Sequence, residues 1–491
     1  MTQRRRTKII ATVGPACESV EMLCNLIEAG VNVFRINLSH GSAEEQKQRA
    51  INIRQASAQT GIEVGLLADL RGPKIRIEKF INDKVELQSG DTFIIDAGDP
   101  GQLGDETRVG VSYAGLPDDV RPADVLLLDD GLITMRVKFV KGRQVYCEVI
   151  NGGTLSNRKG LNLSGGGLSI PGLAEEDIID VPLAAEMGVD YLAVSFPRNA
   201  GDMREARTLL RKAGSKASVI SKIERVEAIE NLESIIDASD AVLVARGDLG
   251  VEIGDAELPG LQKKIISTSL KQNRVVITAT QMLQSMIDNP VPTRAEVLDI
   301  ANAVIDGSDA VMLSAETAVG HYPVKAVEAM HRICLGAERH LASLENNGKL
   351  NVRFDRIDQA IAMAAMFTAQ NVSVQAIVSL TQSGSTAKWL SRVSSAVPIF
   401  ALSPNQQSRR KMALYKDVYP IEFNWKDNST NSEILEQAIQ RLFSLGVLTT
   451  GQRVIVTMGE RQGIKGGTNT LRLLQVSDDG SPEYREELDY S

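Results

Sequence analysis

Histidine is scarce in this chain of 491 residues. Only His40, His321, His331 and His340 occur, and they do not cluster. That argues against a zinc centre built on grouped imidazoles. A catalytic metal would take oxygen ligands, which suits Mg²⁺ or Mn²⁺. Cysteine is equally sparse: Cys17, Cys24, Cys147 and Cys334 show no CxxC spacing and no disulfide-scaffold density. They predict reduced thiols in a cytoplasmic protein. Long apolar runs are missing too. After Arg4-Arg5-Arg6 comes only the strand-length stretch from Ile9 to Val13, so neither an export signal nor a membrane span is expected. Positive charge is not in surplus. Lys and Arg number 54 against 62 Asp and Glu, a net −8 that disfavours a nucleic-acid partner. Local basic clusters can still hold an anionic substrate.

What is present is ordinary globular composition, 43% apolar and 24% charged, with a length that predicts roughly two to four domains. Eight β-rich apolar runs recur, each followed by a helical stretch: Lys8–Val13, Val31–Leu38, Val64–Asp69, Tyr191–Phe196, Val219–Glu224, Ala241–Arg246, Arg274–Thr280 and Ala310–Ser314. Eight such units predict a closed parallel (β/α)8 TIM barrel. Capping boxes at Ser42…Glu45 and Thr293…Glu296 mark two helix starts. Between the third and fourth runs, short strands with turns replace helical periodicity, which predicts an inserted small β-barrel lid over 74–170. Its far end, Asn162 to Gly172, is glycine-rich enough for a hinge. The polar stretch Glu345-Asn-Asn-Gly-Lys marks a second boundary. The expected domains are 1–73 with 171–344 (the barrel), 74–170 (the lid) and 345–491 (a C-terminal α/β domain).

In a barrel, the chemistry sits at the C-terminal strand ends. Strand two ends in Arg35-Ile-Asn37-Leu-Ser39-His40, with Arg35, Asn37 and Ser39 on one face by alternation. Strand three ends in Asp69-Leu70-Arg71-Gly72-Pro73-Lys74-Ile75-Arg76, and strand five in Lys222-Ile-Glu224. Strands six, seven and eight end in Arg246-Gly247-Asp248, Thr278-Ala-Thr280 and Ser314-Ala-Glu316. Charges at a barrel rim are costly unless they meet counter-ions or a ligand. Carboxylates Asp69, Glu224 and Asp248 facing Arg35, Arg76 and Lys222 form the inventory for phosphoryl transfer: acids hold the metal, and cations neutralise the equatorial oxygens. Amides from Gly247 onward can open a helix whose N-terminus receives an anion. Singly, these residues also suit ordinary rim pairs, packing positions and turns. Six strand ends with compatible chemistry carry the reading.

At these positions the chain resembles pyruvate kinase over essentially its full length. The matching segments are Thr7-Lys-Ile-Ile-Ala-Thr-Val-Gly-Pro, Arg35-Ile-Asn-Leu-Ser-His-Gly, Gly72-Pro-Lys-Ile-Arg, Ile220-Ser-Lys-Ile-Glu, Ala245-Arg-Gly-Asp-Leu-Gly, Ala279-Thr-Gln-Met-Leu and Ser314-Ala-Glu-Thr-Ala. The resemblance implies phosphoryl transfer from phosphoenolpyruvate to ADP in a homotetramer. It implies that Glu224 and Asp248 bind the divalent ion and that Lys222 stabilises the phosphoryl group in flight. Arg35, Arg76, Asn37, His40 and Lys159 would meet nucleotide and phosphates. Thr280, Gly247 and Asp248 would hold the pyruvate end, with a water relay near Thr280 and Ser314 protonating the enolate.

Asn37, Ser39, Asp69 and Leu70 match the family's potassium site, but Lys74 stands where potassium-dependent relatives carry Glu. An ammonium beside those oxygens would replace the ion, so K⁺ is expected not to be required. The loop Thr381-Gln382-Ser383-Gly384-Ser385-Thr386, with Gly463 to Thr470, resembles a sugar-phosphate effector site, as its Ser/Gly amides would suit. Gln382 and Ser385 replace residues that are often basic. Two alternatives are a metal-dependent pyruvate or phosphoenolpyruvate aldolase or lyase on the same barrel, and a catalytically dead sensor. The latter predicts decay at Lys222, Glu224 or Asp248, and all three are intact.

Overall fold

Eight parallel strands close into one barrel: Lys8–Thr12, Val33–Asn37, Gly65–Asp69, Tyr191–Val194, Ser218–Ile223, Ala241–Ala245, Val275–Ala279 and Ala310–Leu313. Each pairs with its neighbour in sequence, and the first pairs with the eighth. The computed structural model describes residues 4–99, 101–342, 354, 356–393, 397–426, 429–460 and 466–483. Near-continuous apolar character fits strands covered on both faces. Outward residues such as Ile9, Leu66 and Val219 pack under the helices, and inward ones such as Ile10, Leu67 and Ile220 fill the barrel. Both expected capping boxes form: Ser42 with Glu45, and Thr293 with Glu296.

Alternation explains the rim. The inward positions Val33, Leu67, Ala193 and Ile220 belong to the interior core. Two residues further up each strand stand Arg35, Asp69, Ser195 and Lys222. The residues that fill the barrel thus give way to polar groups within one strand repeat. The floor is stoppered from elsewhere: Leu414 joins the interior core and Tyr415 packs against it, while Tyr191 Oη donates to Lys411 O at 2.6 Å.

The insertion after strand three is β-rich, as expected, but its ladders do not close into a barrel among the described residues. A six-stranded sheet and a two-stranded sheet, Lys84–Leu87 with Gly153–Ser156, share one core. The six-stranded sheet ends on Arg108–Gly110 and Leu161–Leu163, three residues each, which leaves little backbone for closure. The lid rejoins the barrel through Gly165, Gly166 and Gly167, at φ +84°, +77° and +101°. Three successive left-handed residues are tolerable only as glycine, which explains the glycine run expected from sequence at this end of the lid.

The C-terminal domain is a six-stranded sheet whose first four members in spatial order, Val418–Glu422, Ile399–Ser403, Ala376–Leu380 and Arg453–Met458, run parallel. Thr470–Val476 adds antiparallel. The expected boundary at 345–349 and part of the late glycine loop, 463–465, lie outside the described residues.

Candidate active site

Lys222 is the centre of the rim. Its Nζ lies 2.8 Å from Glu224 Oε1, 3.3 Å from Asp69 Oδ1 and 2.8 Å from Ser195 Oγ. Burial works against its charge, but Asp69 and Glu224 outweigh that and raise its pKa. Arg35 closes the other side of Asp69, with Nε at 2.7 Å from Oδ2, and its NH1 donates to Thr12 Oγ1 at 3.0 Å. Burial favours the neutral form of Asp69, yet Lys222 and Arg35 together hold its carboxyl below the usual range. Burial pushes Glu224 up, and Asp248 adds to that against the pull of Lys222. The second Glu224 oxygen accepts from the Phe196 amide at 2.9 Å.

Asp248 stands in the first turn of helix Arg246–Ile253, directly after strand six. Its Oδ1 accepts from Lys74 Nζ at 2.6 Å. Lys74 therefore reaches across from the segment that enters the lid to this carboxylate, and not to the Asn37, Ser39 and Asp69 oxygens expected from sequence. Asp69 is already held by Arg35 and Lys222, and the Lys74 stem runs against the lid's Gly160. Thr280, at the end of strand seven, adopts φ +69°, unusual for a β-branched residue. Arg246 holds that turn by donating to Ala279 O and Thr280 O, and Asp299 holds Arg246. The Thr280 hydroxyl accepts from the Gly247 amide at 2.9 Å and donates to Ala279 O.

Other expected residues lie around this centre with local partners. Lys159 pairs with Asp129, and Arg76 NH1 donates to Arg158 O, both within the lid. Asn37 Oδ1 accepts from the Ser39 amide, while Ser39 and His40 are exposed at the mouth. The Leu70 carbonyl accepts from Ser195 Oγ at 2.8 Å, and the Ser314 amide donates to Glu316. Sequence reasoning missed Ser195 and Thr12. Both lie just inside or beyond ends of strands one and four, the two strand ends left unread, and the same parity rule would have found them.

Among the described residues no group of three or more His, Cys, Asp or Glu side chains converges as a metal cage. Two carboxylates near enough to repel each other, Glu224 and Asp248, suit instead a hard cation that keeps water and substrate oxygens as its other ligands. In the C-terminal domain, Thr381, Gln382, Ser383, Ser385 and Thr386 line a cavity of about 280 Å³. Gly384 turns the loop at φ +78°, and the Thr386 hydroxyl meets that of Thr468 at 2.5 Å. Among the described residues no Lys or Arg lines this cavity.

Comparison with known proteins matches both halves of the chain. Residues 4–327 match the family described as pyruvate kinase, barrel domain, and residues 359–474 the pyruvate kinase alpha/beta domain. The chain is 50% identical to a pyruvate kinase of Buchnera aphidicola, over 97% of this chain and 100% of that protein. It is likewise 50% identical to pyruvate kinase II of Salmonella typhimurium, over 96% and 99%. A pyruvate kinase of Geobacillus stearothermophilus is 41% identical over 97% of this chain and 81% of its own length.

Proposed function

The chain belongs to the pyruvate kinase family, and from that premise we propose that the rim constellation around Lys222 carries its reaction. The enzyme is a phosphotransferase that moves the phosphoryl group of phosphoenolpyruvate to ADP. The lyase alternative is not supported, since both halves of the chain match pyruvate kinase domains.

The observation that carries the residue assignment is the buried Lys222 ammonium, held by Asp69, Glu224 and Ser195. Held in this way, it presents a fixed positive charge to a phosphoryl group passing over the rim, without reorganising as charge develops. Arg35, oriented by Asp69 and Thr12, meets the phosphates from the side of strand two. Arg76 and Lys159 approach from the lid, and Asn37 and His40 flank the mouth on the nucleotide side. Glu224 and Asp248 would hold Mg²⁺ or Mn²⁺. Such an ion, when bound, supplies positive charge to the phosphoryl and enolate oxygens. The Gly247 and Asp248 amides and the Thr280 hydroxyl bind the pyruvate end. Thr280, with Ser314 just after strand eight, orients the water that protonates the enolate.

Four further properties belong to this proposal. K⁺ is not required, because Lys74 brings a covalent positive charge to the rim, at Asp248 and not at the Asn37, Ser39 and Asp69 oxygens. A sugar phosphate binds among Thr381, Gln382, Ser383, Gly384, Ser385 and Thr386, through amides and hydroxyls. The chain assembles as a homotetramer, measurable as four times its 53.2 kDa mass by sedimentation. It works in the cytoplasm; among the described residues no helix is long and apolar enough to cross a membrane. The direct experiment is ³¹P NMR of phosphoenolpyruvate, ADP and Mg²⁺ with the protein. ATP should appear, and Glu224→Gln should stop it; undiminished turnover in that variant would remove Glu224 from the assignment.

A further inference from the structure

Two chain crossings join the lid to the barrel, and one carboxylate holds both. Asp177 lies in the first turn of helix Glu175–Glu186, the first barrel helix after the lid. Its Oδ2 accepts from the Ala174 amide at 2.9 Å, where the chain has just left the lid. Its Oδ1 accepts from the Gly72 amide at 3.0 Å, 105 residues earlier, where the chain is about to enter the lid. Asp180 stands one turn further along the same helix face and accepts from Arg71 Nε at 2.8 Å. The helix that follows the lid therefore grips the segment that precedes it, at two adjacent residues.

An acid in the first turn of a helix ordinarily serves its own helix. Glu45 and Glu433 do so, each closing a capping box from an exposed position. Asp177 differs, for it is fully buried and neither of these two partners is a cation. A buried carboxylate held by neutral amides is costly. A neutral amide side chain here could still cap the helix. It could not take both crossings, because its NH₂ end is a donor and would confront a backbone N–H. Only a carboxylate offers an acceptor to each. The neck so formed lies directly under the groups that the lid brings to the rim. The Lys74 amide donates to Gly72 O at 2.9 Å, and the Lys74 ammonium reaches Asp248. Arg76 follows two residues on and donates to Arg158 O, next to Lys159. A rotation at the neck would displace all three, and a misplacement of about 1 Å can cost about 10²-fold in rate.

We propose that Asp177 is a positioning residue for the phosphoryl transfer: by holding both crossings it sets the orientation of the lid, and with it the reach of Arg76 and Lys159 to the nucleotide phosphates. This rests on the assignment of those two cations to the nucleotide side. Phosphoenolpyruvate, bound by the barrel rim, should be nearly indifferent to Asp177.

Steady-state kinetics and hydrogen exchange on the full-length protein test this with Asp177→Asn and Ser19→Ala. Ser19 caps a different barrel helix, Val20–Ala29, and reports what the loss of a cap does by itself. Asp177→Asn should raise the KM for ADP at least about fivefold while the phosphoenolpyruvate KM moves less than about twofold. The peptide spanning residues 70–76 should exchange faster than in the wild type. Ser19→Ala should lower the melting temperature and leave both KM values in place. Should Asp177→Asn not fold, Arg71→Met, at a side chain 41% exposed, decides through the same split between the two KM values. Lys159→Met should raise the ADP KM unaided. If it does not, the nucleotide assignment fails, and exchange at residues 70–76 still decides whether Asp177 holds the neck. Unchanged exchange there would overturn the proposal. So would an ADP KM that stays at the wild-type value, or that rises only in step with the phosphoenolpyruvate KM.

Discussion

The Lys222 ammonium spends its hydrogen bonds on Glu224 and Ser195 and still faces Asp69 at 3.3 Å. Such a group is fixed before substrate arrives, so its removal falls on the transition state more than on binding. Lys222→Met should lower kcat by at least ~10³-fold, with phosphoenolpyruvate affinity changing far less. Steady-state kinetics would expose an error here through a variant that keeps more than about a tenth of the wild-type kcat. Lys74 makes a different claim. Its charge already sits on Asp248, so it can substitute for a monovalent cation only across the rim and not on the Asn37, Ser39 and Asp69 oxygens themselves. K⁺ added to a potassium-free assay with Mg²⁺ should change kcat by less than about threefold, and Lys74→Glu should create K⁺ dependence. A wild-type enzyme silent until K⁺ is added would contradict both expectations.

Among the elements, the lid hinge has its own titrating group. Glu252, on helix Arg246–Ile253, accepts from the Val226 amide at 3.0 Å and from Asn162 of the lid at 3.4 Å. Burial, opposed by the Val226 amide, raises its pKa to about 7. A carboxyl whose folded pKa is raised keeps its proton in the native state where the unfolded chain has lost it. Its favourable contribution is therefore complete below the unfolded value and disappears as pH climbs to about 7. Glu252→Gln should raise the melting temperature above about pH 7 and leave it nearly unchanged near pH 4. An equal shift at both pH values would assign the effect to packing.

The barrel strands were legible in the sequence because β-branched runs alternate with helices and end in charged residues. The lid strands Lys84–Leu87 and Gly153–Ser156 were not. The first alternates exposed and buried over only four residues, and the second contains glycine and serine, so only their mutual pairing stabilises either. Likewise the rim positions of Arg35, Lys222 and Glu224 could be read from parity, whereas the partner of Lys74 depends on how the lid folds over the barrel. No local pattern encodes that contact.

At the scale of the whole molecule, the C-terminal cavity and the rim belong to different domains, so any influence between them is a coupling free energy. A sugar phosphate at Thr381–Thr386 should shift the phosphoenolpyruvate saturation curve leftwards, with a coupling of roughly 1–3 kcal/mol. Thr386 is buried against Thr468. Thr386→Glu would set a negative charge where the effector phosphate binds, so activation should vanish while the maximal rate survives. A panel of hexose and pentose phosphates that leaves the wild-type curve unmoved would assign the cavity to another ligand.

The floor of the barrel also bears on how the chain is made. Leu414 belongs to the interior core, yet it is translated long after strand eight ends at Leu313. On the ribosome, all eight strands exist before the side chain that stoppers them. The nascent barrel thus has a period with its apolar lower end open, when a chaperone has something to grip. A fragment ending at residue 342 should fold its strands but bind a dye that seeks apolar surface, as the full chain does not. A fragment that ignores the dye would mean the floor can close without its plug.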